Sequence, residues 1–308
     1  MPMLESWGAT RAIPLSTSSS QSQPLVTAPD SAPQLQTPQS TEMDLSCMCI
    51  WKQNRVGEAL ADVRQFSCQH TEETTDMEKC CAYIYEKTCR GEVSFFGLNK
   101  ASAILTQKAT NSQWEDVIFR LLVLLAPQLE LASPCVSMHG IHSESLLCSL
   151  CSQFKQMSVD PKFSEDIHLA SLVCLASLCS STVMVEFLQQ KDILSNILAG
   201  LTLQMDLKKE VRVVCAAVMS NICKGVHVSC EGCDASEECL LLLNQLSDGI
   251  LEETCKEVLE QRICGLYLLV KRGSVTEHLM VEAQGIGEDS ILSISDCSEK
   301  WNQLIRLL

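Results

Sequence analysis

Aromatic residues make up only 5% of this 308-residue chain, and Lys and Arg together number 23 against 38 Asp and Glu. So few aromatics argue against an aromatic-rich β-sandwich. The resulting net charge of −15 has the wrong sign for a protein that gains affinity by neutralising phosphates, so direct nucleic-acid binding is not expected. Residues Met1 to Thr10 lack the basic start and apolar run of a secretory signal, and they include Glu5. No apolar stretch reaches the roughly 20 residues that a bilayer crossing needs. The most apolar window, Val117 to Ala126, is interrupted by Arg120 and closed by Pro127. These absences predict an intracellular protein, nuclear or cytoplasmic, with no membrane partner.

Catalytic signatures are missing as well. There is no Gly-x-Ser-x-Gly elbow and no Gly-x-x-x-x-Gly-Lys-Ser/Thr phosphate loop. The six histidines, His70, His139, His142, His168, His227 and His278, stand in unrelated contexts, whereas nucleophilic catalysis needs a Ser or Cys held against a His with a third orienting group. Gly285-Ile286-Gly287-Glu288-Asp289 follows a helical pattern rather than a strand, and its acidic residues would repel a phosphate, so it reads as a turn. The expectation is a non-enzyme without a cofactor.

What the chain does have is 46% apolar residues, enough to bury a core, and 19 cysteines. Disulfide scaffolds are small and loop-rich. Here most cysteines sit inside apolar helical runs, so they read as reduced core fillers. Apolar residues at three- and four-residue spacing predict helices at 49–66, 75–89, 98–109, 113–129, 143–156, 165–179, 182–189, 193–204, 207–224, 236–246, 250–271, 275–283 and 298–307. The best strand candidate, around Phe95-Phe96, is short and flanked by helical patterns, and reads as loop. Ahead of these helices, residues 1–43 are rich in Ser, Thr, Pro and Gln and cannot bury enough apolar surface to offset the entropy of ordering. They predict a disordered tail, in which Thr37-Pro38 has the form of a proline-directed phosphorylation site or is simply part of an inert leader. Residues 44–308 form the predicted helical-repeat domain.

The helix Leu169 to Cys179 carries no polar side chains except serines and therefore needs neighbours on several sides. Its Leu175-Ala176-Ser177-Leu178-Cys179 aligns with Met219-Ser220-Asn221-Ile222-Cys223, 44 residues on, and Val218 to Ile222 aligns with Leu266 to Val270, 48 residues on. Armadillo and HEAT units recur at roughly 40–47 residues. The segment Glu210 to Gly225, with Cys215-Ala216-Ala217 followed by Met219-Ser220-Asn221-Ile222 and a closing Gly225, resembles the third helix of an armadillo repeat. Val185 to Leu198 is similar to the junction between one such repeat and the next. The resemblance covers about residues 165–225 and implies an all-α, irregular armadillo/HEAT-like solenoid. Small side chains at Cys215, Ala216 and Ala217 would let helices approach closely. Ala216→Trp should then strongly lower the melting temperature, and an unchanged melt would count against burial.

In armadillo proteins that bind extended peptides, such as the karyopherin-alpha importers, an asparagine matching Asn221 bonds the peptide backbone. This resemblance makes Asn221 the one candidate partner-binding residue. The matching position one unit earlier is Ser177, and the accompanying tryptophan is replaced by Ala217, so the repeating clamp is absent and Asn221 can equally bond its own solenoid.

Two Cys-x-x-Cys pairs invite a metal reading, since a structural zinc takes four ligands commonly supplied by two such pairs. Cys148/Cys151 lies on a helix face and reads as core. Cys230/Cys233, in a glycine-containing loop with His227 and Cys239 nearby, has better chelating geometry but no distant second pair, and no metal is assigned. A redox motif there would need a strand-to-helix junction. Acidic runs at Glu72-Glu73 with Asp76, Glu231 to Glu238, and Glu252-Glu253 either steer a basic partner or keep an apolar chain soluble. The apolar ending Trp301 to Leu308 reads as an interaction end or the cut edge of a longer form.

The expected function is a protein-interaction scaffold or adaptor binding a partner's helix or peptide on a solenoid surface. The company kept by degenerate Cys/Leu-rich solenoids points first to chromosome-associated assemblies, including those of meiotic recombination. The alternative is a zinc-stabilised or redox-sensing regulator using Cys230 and Cys233.

Overall fold

The computed structural model describes residues 72–136, 141–202, 208–226, 236–248, 250 and 253–271. The chain divides into two units, residues 1–44 and 45–308, and every described residue belongs to the second. The tail and the helices expected at 49–66, 275–283 and 298–307 lie outside the described residues.

The described residues are all-helical, with ten α-helices and no strand among them. The helices are α1 Glu72–Cys89, α2 Phe95–Lys108, α3 Glu115–Ala132, α4 Ile141–Val159, α5 Glu165–Leu178, α6 Thr182–Gln190, α7 Leu194–Thr202, α8 Lys209–Gly225, α9 Glu237–Ser247 and α10 Lys256–Lys271. Short 3-10 turns at Ser112–Trp114 and Ser133–Cys135 flank α3.

Local chemistry sets the ends. Gly91 takes φ +66° after α1, and Glu92 N–H returns to Lys87 O at 3.0 Å, a left-handed termination that glycine makes without steric cost. Asp192 does the same after α6 at φ +55°, with Ile193 N–H on Leu188 O at 3.0 Å. Ser94 caps α2 by accepting from Gly97 N–H at 3.1 Å. This cap starts the helix three residues before the expected Leu98 and turns Phe95-Phe96 into its first turn. Glu115-Asp116 and Glu165-Asp166 place carboxylates at the positive ends of α3 and α5.

Two expectations need correction. The first concerns the apolar run read as closed by Pro127. Helix α3, expected to pass through that proline and end at residue 129, runs on to Ala132, and with the following turn it is long and apolar enough to cross a membrane by length and composition. Most of it is instead buried against other helices of the chain, with Leu121, Leu122, Leu124 and Leu125 fully enclosed. The second concerns α10, which begins at Lys256 rather than Ile250. Glu253 Oε1 accepts from Cys255 N–H at 2.8 Å and holds a turn where the helix was expected to run, and Ile250 is buried in the turn before it.

The helices pack in two rows. In the first, α1, α3, α5, α8 and α10 touch in that order; in the second, α2, α4, α7 and α9 do. Contacts of α2 with α3, α4 with α5 and α9 with α10 join the rows, while α6 packs on α7 and α8. One apolar core runs from Met77 to Leu269 through both rows.

Polar contacts within the rows recur at a regular sequence distance. Gln153 Nε2 donates to Thr106 Oγ1 at 2.9 Å (47 residues apart), and Cys174 Sγ to Leu122 O at 3.3 Å (52 residues). Ser195 Oγ donates to Glu238 Oε1 at 2.9 Å (43 residues), and Gln245 Nε2 to Leu198 O at 3.4 Å (47 residues). At the N-terminal ends of the first row, Lys208 meets Glu165 at 2.5 Å, Lys209 meets Glu257 at 3.0 Å and Arg212 meets Glu253 at 2.7 Å, across 43, 48 and 41 residues. Ala216 is fully buried against Cys255 and Val258 at the α8–α10 contact, the setting in which a tryptophan has no room.

Candidate partner-binding surface

Asn221 sits on α8 at 3% exposure. Its Nδ2 donates to Ala176 O on α5 at 3.0 Å, across 45 residues, and its Oδ1 accepts from Lys224 Nζ at 2.8 Å. Both ends of the amide are thus engaged within the chain, and a peptide backbone reaching it would have to displace the α5–α8 bond.

The described cysteines are all free, and nine of the thirteen are buried. Burial pushes the Cys80 thiol up to about 11 and those of Cys179 and Cys215 up to about 12. Burial, with neighbouring thiols adding to it, also raises Cys151 well above the ordinary thiol value. A protonated, enclosed thiol is a poor nucleophile and a poor metal ligand. Cys148, half-buried on α4, packs against the core beside the buried Cys151. Cys230, Cys233 and His227 lie outside the described residues, whereas Cys239 is buried in α9. Among the described residues no three His, Cys, Asp or Glu side chains converge as a metal cluster would. His168 Nε2 lies 2.9 Å from Asp160 O and ties α5 to the turn that precedes it.

Two buried polar residues escaped the sequence reading. Gln128 on α3 is fully enclosed; its Nε2 donates to Thr88 Oγ1 and Glu92 O, both at 3.0 Å, and its Oε1 accepts from Ser94 N–H at 3.1 Å. It joins the end of α1 to the cap of α2. Arg262 on α10 donates to Gln245 O at 2.9 Å, Leu246 O at 3.1 Å and Asp248 O, satisfying carbonyls that the end of α9 leaves open. A periodicity reading places such residues on a helix but gives no sign of partners tens of residues away.

The surface also shows a feature the sequence reading passed over. Phe96 is 60% exposed, the most exposed large apolar side chain among the described residues. It stands edge-on to Tyr83, with ring centroids 5.9 Å apart, and Lys100 Nζ lies 4.9 Å from its ring centre. Beside it a cleft of about 540 Å³ opens between α2 and α4, lined by Phe95, Phe96, Asn99, Leu146, His142 and a set of serines. Its signal in the sequence is an aromatic out of step with the buried stripe Leu98, Ala101 and Leu105. No protein-family model matches the chain, and no curated protein is similar to it.

Proposed function

We propose that this chain is a non-enzymatic protein-interaction scaffold, built as an irregular armadillo/HEAT-like solenoid that holds a partner's helix or extended peptide on its surface. The first setting in which to look for that partner is a chromosome-associated assembly, meiotic recombination included. The observation that carries the reading is the recurrence of contacts within each helix row at separations of 41 to 52 residues. Chains whose units each touch the unit before and after produce this spacing. The thiols of Cys179 and Cys215, held protonated by burial, support the reading of these cysteines as core fillers.

Small-angle scattering on the full chain tests the architecture, and proximity labelling followed by binding measurements with purified components tests the function. An elongated distance distribution and at least one direct, saturable protein partner are expected. A compact, near-spherical particle would overturn the solenoid, and candidates that never bind directly would overturn the scaffold.

A further inference from the structure

We propose that the cleft between α2 and α4, with Phe96 at its rim and Lys100 and His142 beside it, docks an acidic segment of a partner protein bearing an aromatic or aliphatic anchor. The proposal deepens the scaffold reading and rests on it. Charge carries the first part of the argument. The chain has a net charge of −15, yet none of the nine residues lining this cleft is a carboxylate. Lys100 makes no ion pair with a carboxylate of the described residues, whereas Lys79 and Lys87 on α1 and Arg90 just after it meet Asp76, Glu92 and Glu86. An ammonium that meets an aromatic face rather than a carboxylate, beside a carboxylate-free cleft, favours a negative ligand over a positive one.

Apolar surface carries the second part. Phe96 stays out of the core while Gly97 and Leu98 beside it enter, and Tyr83 braces its ring from the side. A rigid, exposed aromatic of this kind gives a partner's apolar side chain area to cover at little cost in ordering. The exposed hydroxyl of Ser145 and the amide of Asn99 offer hydrogen bonds to a peptide backbone lying in the cleft. One lysine and one histidine are too few to hold a nucleic acid on a chain of this charge, so the acidic ligand is a protein segment.

The test is selection of a random peptide library, about twelve residues long, on the immobilised full chain, followed by anisotropy titrations with the enriched peptides. Enriched peptides should be acidic around an aromatic or leucine anchor. Their affinity should fall at least tenfold in Phe96→Ala and in Lys100→Glu, and should weaken with salt. Both variants should keep the wild-type melting curve, since both side chains are exposed. Basic or uncharged winners, or no enrichment at all, would overturn the proposal. Affinities untouched by both substitutions would overturn the site yet leave the scaffold reading in place, which fails only if partner proteins never bind directly. A single-stranded oligonucleotide that binds and is lost in Lys100→Glu would replace the protein segment with nucleic acid.

Discussion

Gly225 closes α8 where that helix passes the first turn of α6. A Cβ on this residue would stand 2.5 Å from Val185 Cβ and 2.9 Å from Thr182 O, and neither atom is the free end of a flexible side chain. The constraint is one of space, because the backbone there needs no left-handed φ. Gly225→Ala should therefore destabilise the fold by about 1–3 kcal/mol, the usual range for overpacking. A urea midpoint equal to the wild type would refute the close approach. The buried thiols make a second residue-scale prediction. Their folded pKa values lie above the ordinary thiol value of about 9, so their contribution is intact below pH 9 and is lost as pH rises toward about 12. Each such thiol adds a slope of about 1.4 kcal/mol per pH unit once its unfolded counterpart ionises. Comparing urea stability of the wild type and Cys179→Ala between about pH 9 and 10.5 isolates one of them. The variant should lose stability less steeply, and identical slopes would remove Cys179 from the account.

At the scale of elements, the helix ends show what local sequence encodes. Helices α5, α6 and α8 fall within one or two residues of where periodicity, acidic first turns and the terminal glycine put them. The starts of α2 and α10 do not, because each is decided by one side chain bonding a backbone N–H, Ser94 in one case and Glu253 in the other. Spacing of apolar residues carries no information about those bonds. Gln128 shows the same limit across elements, since its partners lie 34 to 40 residues earlier in the chain. Gln128→Ala would remove three hydrogen bonds, leave the buried Ser94 N–H without its acceptor and open a cavity in α3. The expected loss is about 2–4 kcal/mol, from an orphaned buried donor plus the lost packing. In a double-mutant cycle with Thr88→Val, a coupling of about 1 kcal/mol should appear, and additive losses would dissolve the Gln128–Thr88 bond.

For the molecule as a whole, the all-helical class was legible in the three- and four-residue spacing of the apolar residues, and Asn221, in the motif that resembles an armadillo helix, bonds Ala176 O 45 residues earlier. The Phe96 cleft was not legible in the same way, because it arises only when α2 and α4 lie side by side and leave Phe96 exposed at the start of α2. The order in which the helices touch also bears on how the chain unfolds. Helices α1 to α3 share no extensive contact with α8 to α10, so strain at one end reaches the other through α4 to α7 and the turn Ser133–Cys135. When each unit is held by its neighbours alone, stability is local and opening need not be global. Leu98, fully buried in α2, probes this. Leu98→Ala should cost about 2–5 kcal/mol locally. Hydrogen exchange should then accelerate in α1, α2 and α3 while amides of α8 and α10 keep nearly their wild-type protection. Acceleration by the same factor in all ten helices would mean that the rows unfold as one cooperative block, and the nearest-neighbour account of their stability would have to be abandoned.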